Sequence, residues 1–202
     1  MILNRRAAGA LAALALCAAS GCGGLHSNEP AMQIYTIEPT YSLPKAENPG
    51  GAGSVQVLRP LAAPGLDTDR IALRRSGQRL DYYSASRWPA PLPEFVQSLV
   101  VDALRAAGRF RAVQPDNASF SADSVLQIEI GHCSADYPGD GPPTVRVKLL
   151  ATYGPRAERA TPATLSAESS VAASENRMQA VVAAFQGALS AALSDLAGRL
   201  PP

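Results

Sequence analysis

Aromatic residues are sparse: the 202 residues include one Trp and four Phe, so an interior built from this chain must rest on Leu, Val, Ile and Ala. Neither sign of charge dominates. Eighteen Lys and Arg against seventeen Asp and Glu leave a formal net charge of +1, which gives no broad field to draw in nucleic acid. Histidine occurs only twice, at His26 and His132, so a hydrolase triad has almost no candidates, and no Gly-x-Ser-x-Gly elbow is present. His132 stands beside Cys133, but two histidines without nearby carboxylate spacing do not make a metal site. The glycines of Gly50-Gly51-Ala52-Gly53-Ser54 lack the Gly-Lys-Ser/Thr ending of a phosphate loop and read as a connection. No enzymatic activity, cofactor or metal is expected. Beyond the amino terminus, no segment reads as long enough to cross a bilayer.

What is present begins with that terminus. Arg5 and Arg6 precede an uninterrupted small-to-apolar run over residues 7–19, and Ser20-Gly21-Cys22 follows. A basic head on a short apolar stretch is the layout of a signal peptide. The run falls short of the roughly 18 to 20 residues that a hydrocarbon core of about 30 Å demands of a helix. Ala19-Ser20-Gly21-Cys22 resembles the bacterial lipobox, in which small residues admit the processing peptidase and the cysteine sulfur takes a diacylglyceryl group. Cys17 follows the bulky Leu16 and is expected to leave with the leader. The chain therefore divides into a lipoprotein signal peptide over 1–21, a lipidated and flexible tether over 22–31, and a folded domain over 32–200. An ordinary secretory signal, with Cys22 incidental, is the alternative. Each buried acyl methylene contributes roughly 0.8 kcal/mol, so several palmitate-like chains on Cys22 anchor the protein for good. Gly23, where an Asp would signal inner-membrane retention, favours the outer membrane, with the domain facing the periplasm. An acylated Cys22 cannot form a disulfide, which leaves Cys133 as a lone thiol, read as a small buried hydrophobe.

Along the domain, residues 32–37 alternate as a strand, 39–53 read as a loop, and 54–59 form a second strand ended by Pro60. Residues 69–74 and 78–83 read as a hairpin across Ser76-Gly77. Pro93 opens a helix in which Phe95, Leu99, Val100, Ala103, Leu104 and Ala107 share a face, and Gly108 stops it. A short edge strand over 110–113 and an alternating strand over 125–130, with Leu126, Ile128 and Ile130 on one face, come next. A Gly- and Pro-dense turn over 136–143 leads to a strand over 144–153, giving an antiparallel hairpin, and a weaker strand covers 165–171. From Ser174, a plausible cap, Met178, Val181, Val182, Phe185, Leu189, Ala192, Leu193 and Leu196 trace the stripe of a long helix. The fold class is α/β (α+β): a single domain with a mixed, largely antiparallel sheet of about five strands and two main helices packed on it.

The order of these features resembles a known family. The lipobox is followed by Tyr35-Thr36-Ile37, Val55-Gln56-Val57 and Pro60, then Pro64-Gly65-Leu66-Asp67-Thr68-Asp69-Arg70-Ile71. Leu80-Asp81-Tyr82-Tyr83, Arg87-Trp88, Leu92-Pro93 and a helix ending near Phe110 complete the pattern. Together they resemble the auxiliary lipoproteins of ABC-type transporters, over nearly the whole mature chain, with the block from Leu66 to Trp88 the most specific part. Tyr35, Asp67, Ile71, Tyr82, Tyr83 and Trp88 match family positions, and the resemblance attaches no catalytic role to them. It implies a noncatalytic partner of MCE-type lipid transport, in which an ABC permease and ATPase work with an MCE protein. Direct phospholipid binding and self-association stay open.

Within this frame Tyr82, Tyr83, Trp88, Arg70 and Arg74 are the candidate partner-binding residues. Adjacent tyrosines on a strand point to opposite faces, so one packs and the other meets a partner. Trp88, before Pro89, reads more readily as core. Arg70, Arg74, Arg75 and Arg79 suit an acidic partner or anionic head groups, and equally a solvated strand face. Two other functions remain: an adaptor for a different envelope machine, and a lipid-anchored enzyme, which would need His132, Cys133, Asp136 or Asp140 to converge in a pocket.

Overall fold

The computed structural model describes residues 31–44, 51–76, 79–119, 121–157 and 161–200. The expected signal peptide, Cys22, nearly all of the tether, and Gly77 and Gln78 of the expected hairpin turn lie outside them. In chain order the elements are β1 (Gln33–Ile34), β2 (Ala52–Val57), β3 (Leu61–Ala62), β4 (Arg70–Arg75), β5 (Arg79–Arg87), α1 (Leu92–Ala107), β6 (Phe110–Pro115), β7 (Ser124–Asp136), β8 (Thr144–Pro155), β9 (Ala163–Ala172) and α2 (Met178–Arg199).

The spine is β7, whose alternation of apolar and polar residues commits one face to a core. Along one edge it receives three short parallel partners in succession: β2 against Ser124 to Leu126, β3 against Glu129 and Ile130, and β4 against Ala135 and Asp136. Its other edge pairs antiparallel with β8 over nearly its whole length, and β8 pairs antiparallel with β9. Beyond β2 lies β6, and beyond β4 lie β5 and then β1. The two longest ladders are antiparallel and the parallel ones are short. The sheet has nine strands among the described residues, more than the about five expected: β3, of two residues, has no alternation to count, and the strands read separately along the chain all join this one sheet.

A bulge divides β7. Ile130 pairs with Leu149, but His132 pairs with Lys148, so Gly131 is the extra residue and inward-facing parity changes across it. Before it, Leu126, Ile128 and Ile130 are buried; after it, Cys133 and Ala135 are buried, opposite Val147 and Val145.

Both helices lie against the sheet and touch each other, α1 near β6 and β2, α2 across β8 and β9. α1 starts where expected, with Pro93 in its first turn, and ends at Gly108, whose φ of 64° is the left-handed conformation that closes a helix without steric cost. α2 departs from expectation. It begins at Met178, not at Ser174, and no side chain caps it. The preceding segment bends instead and is held from outside the helix: the Ala173 N–H donates to the Pro143 carbonyl, and the Asn176 side chain accepts from Tyr137. α2 also corrects the reading that no later segment is long enough to span a bilayer. Its 22 residues pass by length and composition, but its apolar stripe, including Val181, Phe185, Leu189, Leu193 and Leu196, is buried in this domain.

Of the strand read over 32–37 only Gln33 and Ile34 pair, and residues 39–44, the described part of the expected loop, lie along the helices. Thr40 and Ser42 donate their N–H groups to Ser190 and Ser194 of α2 at 3.1 and 3.0 Å, and the Tyr41 hydroxyl donates to the Leu99 carbonyl of α1. Serines four residues apart on a helix face thus receive an extended chain.

Candidate functional site

The candidate residues cluster where β4 and β5 part. Arg70 pairs with Arg87 and Ala72 with Tyr82, so one residue of β4 faces four of β5, Tyr83 to Ser86. The excess is absorbed at Ala85, whose φ of 48° is rare for a residue with a side chain. Tyr82 turns its hydroxyl to the Gly65 carbonyl, 2.7 Å away, and the Arg70 guanidinium lies 4.0 Å above the centre of its ring. Gly65 has φ +85°, and a Cβ there would sit 2.5 Å from Leu80 Cδ2.

Tyr83 goes the other way. Its hydroxyl lies 2.9 Å from that of Tyr137, which donates to Asn176 Oδ1 at 2.8 Å. A phenol has one proton, so Tyr83 donates to Tyr137 and Tyr137 to Asn176. Burial, then the bond to Tyr137, pushes the Tyr83 phenol well above its ordinary range. Neither tyrosine therefore stands free: both are half-buried against the core, and both hydroxyls have partners within the chain.

Trp88 lies in the core, as its place before Pro89 suggested. It is 3% exposed, its ring 5.4 Å from Phe95 of α1 and 5.2 Å from Phe185 of α2, the latter edge-on, so it offers no surface to a partner. Its backbone N–H donates to the Asp69 carbonyl, and Nη1 of Arg87 beside it lies 2.7 and 2.8 Å from the two carboxylate oxygens of Asp69.

Arg74 belongs to a different place. It pairs with Asp136 across the β4–β7 ladder, and Asp136 pairs with Thr144 across β7–β8, so the three lie in one row on one face of the sheet. An open groove of about 350 Å³ lies here, lined by Arg74 and Arg75 from β4, Asp136 and Tyr137 from the end of β7, and Thr144 and Arg146 from β8. Arg75 stacks over the Tyr137 ring at 5.5 Å. Arg146 Nε lies 3.5 Å from Asp136 Oδ2.

On the same face, His132, Ser134 and Asp136 converge. Ser134 Oγ is 2.7 Å from Asp136 Oδ1 and 2.8 Å from His132 Nε2, and that nitrogen is 3.2 Å from the same carboxylate oxygen. This is not the geometry of an activated nucleophile. In a triad the two ring nitrogens divide the work, one for the serine and one for the carboxylate, whereas here Nε2 alone meets both. Ser134 is also 1% exposed. Cys133, next in the strand, faces the core, where burial pushes its thiol up to about 12, and Asp140 lies on the exposed turn without a partner among the described residues. Of the four residues named for an enzyme, only His132 and Asp136 come together. Among the described residues no three His, Cys, Asp or Glu side chains are placed to hold a metal.

Sequence reasoning missed Ser134, Tyr137, Thr144 and Arg146. The available signal was Gly131, which interrupts the alternation and reverses the facing of every residue after it.

No curated protein matches this chain. Among solved structures it is similar to protein XCC0632 from Xanthomonas campestris, at 26% identity over 82% of this chain and 93% of that one, with a TM-score of 0.71. An uncharacterized protein shares the fold at 12% identity, 80% and 97% coverage and a TM-score of 0.57. The PelC dodecamer from Paraburkholderia phytofirmans follows at 16% identity, 82% and 99% coverage and 0.44. The family model for the ABC-type transport auxiliary lipoprotein component matches residues 35–197, from just past β1 to the last turn of α2, and this chain belongs to that family.

Proposed function

We propose that this protein is a noncatalytic auxiliary subunit of an MCE-associated ABC system that moves lipid between the inner and outer membranes. Family membership makes it an envelope lipoprotein of ABC-type transport; the observation that carries the reading is that the match runs through the whole folded domain. Acyl chains on Cys22 would hold the domain at the outer membrane, facing the periplasm. From Cys22 to the first strand is a span of 11 residues, at most about 40 Å of extended chain, so the docking partner must come within that distance of the bilayer plus the domain's own depth. The contribution is then one of position: tethering raises the local concentration of domain and partner without any chemistry.

The boundaries proposed are a signal peptide over 1–21, a lipidated tether over 22–31 and the domain over 32–200. Mass spectrometry of protein purified from native membranes should find a mature chain that starts at an acylated Cys22. Cross-linking and pull-down from the same membranes should recover an MCE protein together with an ABC permease and ATPase, and Cys22→Ala should lose them. An unmodified terminus, or steady recovery of a different envelope machine, overturns this reading and favours an adaptor of that machine.

A further inference from the structure

We propose that the groove at the β4–β7–β8 end of the sheet binds a phosphate-ester anion, with Arg74 and Arg146 as its forks. Three arginines, Arg74, Arg75 and Arg146, are among the residues lining the groove against a single acidic one, Asp136, a formal surplus of two positive charges. The carboxylate is already engaged. Its Oδ1 accepts the Ser134 hydroxyl at 2.7 Å and meets His132, which leaves Oδ2 for Arg146 at a loose 3.5 Å. Among the described residues Arg75 has one ion pair, with Asp81 at 3.9 Å, and Asp81 is held more closely by Arg79 at 2.8 Å. Arg74 has no ion pair within 4.0 Å among the described residues, although its backbone is fixed on both sides, by Asp136 in one ladder and Leu80 in the other.

Each guanidinium carries five N–H donors in a plane, and few of these are used here. Planar forks facing a shared space suit tetrahedral oxyanions, which accept two parallel bonds from each fork. Thr144 adds a hydroxyl on the same row as Arg74. The rigid backbone matters as much as the charge, since forks carried on paired strands need little reordering when an anion enters. A volume of about 350 Å³ admits a phosphate with a short polar substituent and excludes a larger group from full burial. A membrane head group and a soluble ester both carry such an anion, and the chemistry is shared. The inference does not depend on which transport system the protein serves.

The test uses the full lipidated protein in uncharged detergent, titrated calorimetrically with inorganic phosphate and with glycerol 1-phosphate, and separately with short-chain phosphatidylglycerol against short-chain phosphatidylcholine. Arg74→Ala and Arg146→Ala are each expected to weaken binding about tenfold or more, and Arg74→Lys, which keeps the charge but not the fork, by less. Asp136→Asn should tighten it by removing the competing charge. Arg111→Ala, on β6 and 70% exposed in its side chain, is the control for a diffuse surface effect and should change nothing. Binding of the soluble probes lost in Arg74→Ala assigns a soluble ester, and a phosphatidylglycerol-dependent gain lost in the same variant assigns a head group; either supports the site. No binding of any probe, or equal losses in Arg111→Ala and Arg74→Ala, overturns it.

Discussion

Replacing Trp88 by Ala removes the ring that joins the two helices. Trp88 contacts Phe95 of α1 at 5.4 Å and Phe185 of α2 at 5.2 Å, and it is 3% exposed. Truncating a buried aromatic of this size costs about 3–5 kcal/mol, of which each ring contact accounts for roughly 0.5–1.5 kcal/mol. Domains of this size have about 5–15 kcal/mol in all, so the variant should keep its fold only marginally. Trp88→Phe retains part of the contact and should lose about 1–2 kcal/mol. A cycle with Phe185→Leu should leave a coupling of roughly 0.5–1.5 kcal/mol between the two positions. Urea unfolding followed by far-UV circular dichroism is the right assay, because the protein's one Trp is the residue being changed. The same variants separate packing from docking: Trp88→Phe, folded, should recover partners from native membranes as the wild type does. A loss below about 1 kcal/mol in Trp88→Ala, or lost capture in a Trp88→Phe protein of unchanged stability, would refute the assignment.

Three further outcomes follow from particular contacts. Gly65→Ala should cost more than about 1–2 kcal/mol in the same unfolding assay, since φ of +85° disfavours a side chain and the new Cβ would meet Leu80 at 2.5 Å. Cys133 should resist a thiol reagent until the protein is unfolded, because burial raises its thiol to about 12, and Cys133→Ser should lose roughly 1–3 kcal/mol for an uncompensated hydroxyl. Asp116 accepts from Gln97 Nε2 at 3.0 Å and the Arg59 N–H at 2.9 Å, which hold its carboxyl below the usual range. A depressed folded value means the stabilisation is full above the unfolded value near 3.9 and is lost as pH falls through the folded one; Asp116→Asn should flatten that acid limb of a stability profile.

Helices and long strands were legible because their signals are local and repeated. The stripe from Phe95 to Ala107 ends on a glycine that can adopt φ of 64°, and Val145, Val147, Leu149 and Ala151 alternate along β8 as its buried face. The start of α2 was not, because Ser174 has the right chemistry for a cap while its neighbours Ala173 and Asn176 are committed to Pro143 and Tyr137, far away in sequence. The same holds for residues 39–44, whose order comes from serines on a helix more than a hundred residues later. A two-residue strand such as β3 carries no periodicity of its own and exists because a neighbour offers it an edge. At the site, the arginines were visible as charge, but their grouping was not: Arg74 and Arg146 come together only through the pairing of β4 and β8 with β7.

The block from Leu66 to Trp88 carried the resemblance to the family, and its residues are spent inside the molecule. Tyr82 closes on Gly65, Tyr83 runs through Tyr137 to Asn176, Arg87 clamps Asp69, and Trp88 locks the helices together. They form a joint that carries the chain from the sheet edge into α1. Surface chemistry is made elsewhere, by the one-residue shift at Gly131. Had β7 kept its parity, His132, Ser134 and Asp136 would point into the core, and burying a carboxylate there costs several kcal/mol, a large part of what holds a domain together. The shift turns those three outward, beside Arg74, Thr144 and Arg146, and turns Cys133 and Ala135 in. The residues by which the family is recognised therefore explain how the domain holds its shape, and the groove beyond the bulge is where its charge is free to meet something else.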